Sequence, residues 1–217
     1  MKSLYLLTAL AAFNLVSAQK TISLHEFKGI DIGEDIKLTL VKSKENKLVT
    51  VNSNDEDDDL KAEIENGILS LNGYDSDITL YYTGNLETII VGEDAKLSGT
   101  DEIKTKELKL VIGDDAVVDL TINVQKLSAV VKDDAVLTLT GKAEDHVADV
   151  KDDAVFKGTG LQTVNTTINL SADAVAGITV TGNLVAVAGS DSSLKISGNP
   201  KKVTKTVGDD ASVVMVK

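Results

Sequence analysis

The sequence contains no cysteine, no tryptophan and no arginine, and it has a single proline in 217 residues. Without cysteine there is no disulfide framework, no thiolate nucleophile and no lipidated cysteine after a leader, so we do not expect a lipoprotein. Without arginine, and with a net charge of −12, the chain lacks the clustered cations that bind phosphate groups. This disfavours nucleic acids and anionic membranes as partners. Aromatic residues make up only 3%, too few for the ring platforms that hold many sugars.

The first 18 residues have the pattern of a secretory signal peptide. Lys2 precedes an apolar run from Leu4 to Val16, and the segment Val16–Ala18 (VSA) supplies the small residues of a cleavage site. The apolar run is shorter than the roughly 20 residues that span a bilayer. We therefore predict an exported mature chain, residues 19–217, without a transmembrane segment, in the periplasm, at the cell surface or outside the cell.

A short acidic motif recurs along the chain. Gly113–Val117 (GDDAV) returns as Lys132–Val136 and as Lys151–Val155, both KDDAV, and looser copies precede and follow these three. The aspartates lie at positions 94, 115, 134, 153, 173, 191 and 210, so the steps are 21, 19, 19, 20, 18 and 19 residues. A self-similar period of this length is typical of a solenoid.

Apolar residues form columns on both sides of each aspartate. Every second residue after it is apolar or small, and so are the residues three and five positions before it in most copies. This period of two is typical of half-buried strands. The pattern predicts an all-β fold with two or three short strands in each coil and the aspartate at a corner between them. One coil alone leaves its columns exposed, whereas stacked coils bury them. Because crossover connections favour one hand, we expect a right-handed single-stranded parallel β-helix with coils of about 19 residues.

The N-terminal part of the mature chain, residues 19–85, is less regular than residues 86–217. Gly33–Asp35 is a first, remote copy of the corner. The segment Leu60–Leu71 predicts a hairpin around Glu65–Gly67 (ENG), because Asn-Gly is a strong signal for a two-residue turn. An acidic run, Asn54–Asp59, reads as a solvated loop. The alternative is a Ca²⁺ loop, but the EF-hand spacing, glycine and terminal glutamate are absent.

Several of these segments together resemble the head GIN domain family, described as putative auto-transporter adhesins. The resemblance covers the chain from about Phe27 onward, and it rests on Phe27–Ile32, Asp35–Thr39, Leu60–Leu71 and Leu86–Gly92. It implies a right-handed β-helix exported by Bacteroidetes-like bacteria, with no established activity and no defined catalytic residues. The corners differ from the family pattern, since Asp-Asp is frequent here where the family is richer in Gly and Ser.

Candidate residues for catalysis are few. Nucleophilic catalysis needs a base beside a nucleophile, and the only histidines are His25 and His146. His146 falls in the column that holds Leu108, Leu127 and Leu184, so we interpret it as a partly covered strand residue, and we give His25 no role. Two histidines far apart in sequence make a poor zinc site. Three tyrosines, Tyr74, Tyr81 and Tyr82, are interpreted as cover for one end of the helix, with a weak sugar contact as the alternative.

The aspartate corners are the remaining candidate site. Stacked coils place Asp115, Asp134 and Asp153 in a row about 5 Å apart, where like charges repel by roughly 1 kcal/mol per pair in water. One interpretation is turn chemistry, in which each carboxylate accepts backbone N–H groups of its own corner. The alternative is a Ca²⁺ ladder through the three carboxylates. We favour turn chemistry and expect no cofactor, because the glycine-rich motif of Ca²⁺-binding β-rolls is absent.

These observations favour a non-catalytic cell-envelope module that mediates adhesion or binds a ligand. A cell-surface glycan or an envelope protein is the expected partner, and end-to-end stacking of copies is open because solenoid ends expose strand edges. Two alternatives use the same scaffold: a carbohydrate-active enzyme, which needs paired carboxylates in a groove, and a purely structural envelope protein.

Overall fold

The computed structural model describes residues 20–51, 60–73 and 75–216, and these ranges contain strands and turns but no helix. The strands follow one another as β1 (Lys20–Ser23), β2 (Gly29–Ile32), β3 (Lys37–Lys42), β4 (Lys47–Val51), β5 (Lys61–Glu65), β6 (Ile68–Asn72), β7 (Asp77–Tyr82), β8 (Thr88–Val91), β9 (Lys96–Gly99), β10 (Ile103–Ile112), β11 (Val117–Val131), β12 (Val136–Val150), β13 (Val155–Leu170), β14 (Val175–Val180), β15 (Asn183–Ala188), β16 (Ser193–Ser197), β17 (Lys202–Val207) and β18 (Ser212–Met215).

The regular coils stack in parallel and in register. Strands β10 to β13 pair in sequence order, so that Val118 lies beside Leu137 and Leu137 lies beside Phe156. All three side chains are buried. Burial of one such side chain stabilises a fold by about 1.5–3 kcal/mol, so the aligned columns supply the core that a single coil lacks. The predicted parallel β-solenoid with coils of about 19 residues is confirmed, and it has about 7 turns.

Each coil has one sharp corner and one gentle bend. The sequence predicts short strands, but β11 and β12 each continue for 15 residues. Within β11 the alternation of buried and exposed residues changes phase at Gln125 and Lys126, which are both exposed. The backbone pairing of β11 with β12 continues on both sides of this point, so the strand bends without ending. We call this side of the solenoid the bend edge; it comprises residues 104–107, 123–126, 142–145 and 162–165.

Departures from the 19-residue period are absorbed away from the corners. The 20-residue step from Asp153 to Asp173 coincides with register shifts in β13 next to Gly158. The 21-residue step to Asp115 coincides with a break between β9 and β10, and the 18-residue step to Asp191 with a break between β14 and β15. The corners therefore stay aligned while the opposite side of the coil varies in length.

The chain doubles back at its N-terminal end. Strand β2 pairs in parallel with both β6 and β8, and β3 pairs in parallel with both β7 and β9. The first coil in the chain, residues 29–42, is therefore the second coil of the stack, between residues 68–82 outside it and residues 88–99 inside it. The predicted early corner is confirmed, because the Asp35 N–H donates to the carbonyl oxygen of Glu93 across 3.1 Å.

Antiparallel strands cover the outermost coil. Strands β5 and β6 form the predicted hairpin, whose turn residues Asn66 and Gly67 both have positive φ (51° and 78°), as a type I′ turn requires. Strand β4 pairs antiparallel with β7, and β1 pairs antiparallel with β4. These strands occupy an edge that would otherwise be open to pairing with another chain.

At the opposite end, no strand within the described residues covers the last coil. Strands β17 and β18 pair with β15 and β16. Val207 and Met215, at inward positions of this coil, are 43% and 50% exposed. Lys205 occupies a third inward position, opposite Ala186. An inward charge on an edge strand disfavours further stacking. The lysine and the N-terminal cap therefore both act against the end-to-end stacking of copies that the sequence leaves open.

Candidate functional site

The aspartate corners are turns with a left-handed backbone. Asp94, Asp115 and Asp134 have φ angles of 55°, 50° and 52°. Aspartate and asparagine adopt this conformation more readily than other residues that carry a side chain. The turn is closed by the backbone, for example by the Ala116 N–H donating to the Gly113 carbonyl oxygen across 3.2 Å. Within the described ranges no corner carboxylate accepts a backbone N–H of its turn, so the turn-chemistry interpretation is wrong in that respect. Aspartate instead supplies the left-handed residue of these three corners, whereas in two later corners that residue is Asp152 and Ala172.

The predicted row of Asp115, Asp134 and Asp153 forms in the structure. Partial loss of solvent, followed by the charges of Asp153 and Asp115, raises the pKa of Asp134. The repulsion that the sequence predicts is therefore present. Beside this row, the Nζ of Lys132 lies 3.1 Å from the Asp133 carboxylate.

No three histidine, aspartate or glutamate side chains converge as metal ligands within residues 20–51, 60–73 and 75–216. The acidic run 54–59 lies outside the described residues, as does the predicted signal peptide, residues 1–18. The Ca²⁺ ladder through Asp115, Asp134 and Asp153 stays a prediction for a titration to test.

His146 is fully buried rather than partly covered. It stands in the inward column between Leu127 and Thr166, and its ring centre lies 5.4 Å from that of Phe156. Burial lowers the pKa of His146 to about 4, and neither ring nitrogen has a hydrogen-bond partner. An imidazole closed off from solvent in this way is not placed to exchange protons with a ligand. His25 is exposed, so the two histidines differ completely in environment.

The tyrosines lie at the N-terminal end of the solenoid. Tyr82 is 3% exposed; burial and then the charge of a nearby aspartate raise its pKa to about 12. The Nζ of Lys42 lies 4.6 Å from the Tyr82 ring centre, and the Nζ of Lys47 lies 4.9 Å from that of Tyr81. Lysines thus occupy the ring faces that a sugar would need. Both tyrosines belong to the outermost coil, as the end-cover interpretation predicts, while Tyr74 lies outside the described residues.

A cavity of about 780 Å³ runs along the bend edge, on the side of the solenoid away from the corners. It crosses six coils, and its wall contains lysines, amides and threonines but no aromatic ring. The lining residues are Asn85, Lys104, Thr105, Lys106, Asn123, Val124, Gln125, Lys142, Ala143, Glu144, Gln162, Thr163, Val164 and Thr181.

One row of outward side chains crosses this cavity from coil to coil. Lys104 lies beside Asn123, Asn123 beside Lys142, and Lys142 beside Gln162. Neighbouring strands are about 4.8 Å apart, so the two lysines are separated by about 10 Å. Lys104 forms an ion pair with Glu102 across 2.9 Å. The other three side chains are exposed and make no hydrogen bond or ion pair within the described residues.

In the next row along the bend edge, the side chains form hydrogen bonds with one another. Lys126 Nζ donates to Glu107 Oε1, Asn165 Nδ2 donates to Asp145 Oδ1, and Asn183 Nδ2 donates to Asn165 Oδ1, each across 2.9 Å. The Glu107 carboxylate raises the pKa of Lys126. A second cavity, of about 790 Å³, opens beside this row. Three carboxylates line it: Glu107 and Asp145 are engaged by these neighbouring side chains, and Glu87 lies 3.8 Å from the Nζ of Lys28.

Charge is segregated between the two edges of the solenoid. The first cavity is lined by Lys104, Lys106 and Lys142 against the single carboxylate of Glu144, which gives it a net charge of +2. The whole chain carries −12, and the corners hold stacked aspartates. The whole bend edge has four lysines against three carboxylates, which leaves +1, so the cationic, hydrogen-bonding surface on this acidic protein is the cavity itself.

Sequence reasoning missed this row, although a signal for it exists. Lys104, Asn123, Lys142 and Gln162 each stand eleven residues before a corner aspartate. Extending the columns from the apolar positions to the polar ones would have placed them on one line. Without the fold, a repeated polar position reads as ordinary solvated surface.

Comparison with protein families gives one match. The family described as "putative auto-transporter adhesin, head GIN domain" matches residues 26–200. Nothing matches among curated protein sequences. In the described ranges the structure contains no helix that could cross a lipid bilayer.

Several solved structures share the fold. A putative adhesin from Bacteroides fragilis NCTC 9343 superposes with a TM-score of 0.82 at 16% identity, and a putative adhesin from Parabacteroides merdae ATCC 43184 with a TM-score of 0.70 at 14% identity. A protein from Parabacteroides distasonis ATCC 8503, named as a putative lipid binding protein, superposes with a TM-score of 0.67 at 14% identity. Each alignment covers 92% of this chain and 96% of the other. At these identities the likeness concerns the fold.

Proposed function

We propose a function on the premise that the chain belongs to the head GIN domain family, described as putative auto-transporter adhesins. The protein is an exported module of the cell envelope that binds a surface glycan or an envelope protein through its bend edge, and it catalyses no reaction. The family description and the adhesin names of the structural neighbours support the adhesive role. The observation that carries the choice of site is that Asn123, Lys142 and Gln162, side by side along the 780 Å³ cavity, make no hydrogen bond or ion pair within the described residues.

A repetitive rigid surface suits adhesion for a physical reason. Each coil adds the same backbone spacing, so side chains on successive coils are held in fixed positions before a ligand arrives. Preorganised groups lose little conformational freedom on binding, and this improves affinity. Strand pairing on both sides of the bend edge holds residues 123–126 and 142–145 in such positions.

The carbohydrate-active enzyme is the rival hypothesis. Glycosidases use two carboxylates, one as acid and one as base or nucleophile. Of the three carboxylates of the second cavity, Glu107 and Asp145 are held by Lys126 and Asn165, and Glu87 pairs with Lys28 across 3.8 Å. This arrangement favours binding over catalysis. Incubation with oligosaccharides and an assay for new reducing ends tests this rival; no increase over buffer is expected.

Two experiments test the proposed function. Fractionation of the native cell locates the chain, and we expect it in the envelope or medium after loss of residues 1–18. A purified chain of residues 19–217, labelled with a fluorophore, should then bind to whole cells or to isolated envelope material. Retention of the full-length chain in the cytoplasm, or an absence of binding to any cell or envelope fraction, would refute the proposal.

A further inference from the structure

We propose that the bend edge binds an extended anionic glycan, whose carboxylate or sulfate groups are held by Lys106 and Lys142. The glycan lies along the solenoid axis and crosses successive coils. This inference rests on the proposed function and names the ligand class for that site.

Two lysines are free to meet an anion. Lys106 and Lys142 are exposed and line the first cavity, and neither forms an ion pair or a side-chain hydrogen bond within the described residues. They project from coils two steps apart, about 10 Å along the axis. A lysine ammonium binds an anionic oxygen by charge-assisted hydrogen bonds, which are about twice as strong as neutral ones. Two such points at a fixed distance suit a polymer with repeated charges better than a single small anion.

The amide side chains beside the lysines suit hydroxyl groups. Asn123, Gln125 and Gln162 line the same cavity, and their amides make no side-chain hydrogen bond within the part of the chain that the structure describes. An amide both donates and accepts hydrogen bonds, as a sugar hydroxyl does. Two free lysines among free amides in one cavity therefore match a polymer that carries charged groups among hydroxyl groups.

The lining also distinguishes this ligand from other polyanions. Single-stranded nucleic acids bind where bases stack on aromatic rings, and the cavity contains none. A membrane surface requires an apolar face beside the cations, whereas this wall is mainly amides, threonines and lysines. The net charge of +2 is confined to the cavity, so the negative remainder of the protein opposes non-specific attachment to anionic surfaces.

The test measures binding of residues 19–217 to four polymers by titration calorimetry at low and moderate salt. Polygalacturonate presents carboxylates, dextran sulfate presents sulfates, neutral dextran presents hydroxyl groups alone, and poly(dT) presents phosphates. The double variant Lys106→Gln/Lys142→Gln removes the proposed contacts. The matched control, Lys157→Gln/Lys195→Gln, removes two exposed lysines that are also two coils apart but lie outside the cavity. Circular dichroism verifies that both variants fold.

We expect at least one of the two anionic glycans to bind in a salt-dependent way and neutral dextran to bind far more weakly. The cavity variant should lose tenfold or more in affinity, and the control variant less than twofold. Equal losses in the two variants, equal binding of neutral dextran, or equal lysine-dependent binding of poly(dT) would each overturn the inference. If no polymer binds while the protein still binds envelope material, the ligand class is wrong and the proposed function stands. If both kinds of binding are absent, both are wrong.

Discussion

Replacement of His146 by leucine should stabilise the protein. The side chain stands in a column that holds Leu127 in the previous coil and Leu184 two coils later, so leucine has a precedent at this position. The imidazole has two buried nitrogens without a partner. An unsatisfied buried polar group costs about 1–3 kcal/mol. We therefore expect His146→Leu to raise the free energy of unfolding by about 2 kcal/mol at pH 7.

The gain should increase in mild acid. The pKa of His146 falls from 6.5 to about 4 on folding, so the unfolded state takes up the proton first, and stability is lost as the pH falls from about 6.5 towards 4. At pH 5, roughly 1.5 units below the unfolded-state value, this loss is about 2 kcal/mol at about 1.36 kcal/mol per unit. Leucine has no proton to take up, so the difference between variant and wild type should reach about 4 kcal/mol.

Urea unfolding followed by far-ultraviolet circular dichroism at pH 7 and pH 5 measures both effects. The variant His25→Gln is the control, because His25 is exposed and its replacement should change neither value appreciably. A His146→Leu variant less stable than the wild type at pH 7, with the same difference at pH 5, would refute the reasoning. It would mean that the imidazole is hydrated or hydrogen-bonded in the native protein.

Three further predictions concern the backbone and the corners. Gly141 has a φ of 105°, and a Cβ there would clash with the Ile122 carbonyl oxygen, so Gly141→Ala should lower the free energy of unfolding by at least about 2 kcal/mol. The control is Gly177→Ala, whose Cβ would meet only a side-chain methyl and which should lower the free energy of unfolding less. Equal losses for the two variants in urea unfolding would contradict this. Asp134→Asn keeps a residue that tolerates the left-handed backbone and removes a carboxylate whose pKa is raised on folding, so that its ionisation lowers stability as the pH rises. The melting temperature should therefore rise at pH 7 and low salt, with a smaller gain in acid or in NaCl. Asp119→Asn, away from the corners, is the control, and an equal gain there would contradict the repulsion. Millimolar Ca²⁺ should shift the melting temperature no more than NaCl of equal ionic strength, whereas a larger shift that EDTA reverses and Asp134→Asn abolishes would establish the cation ladder.

The regular coils could be predicted from the sequence because repetition and alternation directly encode burial. The column of Val118, Leu137 and Phe156 is visible as every second residue after an aspartate, and strand pairing simply aligns it. The steps of 18, 20 and 21 residues between aspartates also correspond to strand breaks or register shifts in the structure. The order of the first coils could not be predicted, since it depends on β2 accepting two partners that lie far apart in the chain.

The candidate site was predicted less well than the fold. The carboxylates of the corner aspartates suggest chemistry, but in most corners an aspartate such as Asp115 or Asp152 is needed for the left-handed backbone of the turn. The row through Lys142 repeats as regularly, yet its members differ in type, so no motif is visible. Only the pairing register shows that these side chains share one line, and only the hydrogen bonds show which row is unpaired.

Chemical-shift mapping by nuclear magnetic resonance tests the central claim, that ligand binding occurs on the bend edge. A ¹⁵N-labelled chain of residues 19–217 would be titrated with whichever of polygalacturonate and dextran sulfate binds more tightly. The account predicts that the largest shifts fall at residues 104–106, 123–125 and 142–144. Shifts concentrated at the corners, residues 113–116, 132–135 and 151–154, would contradict it.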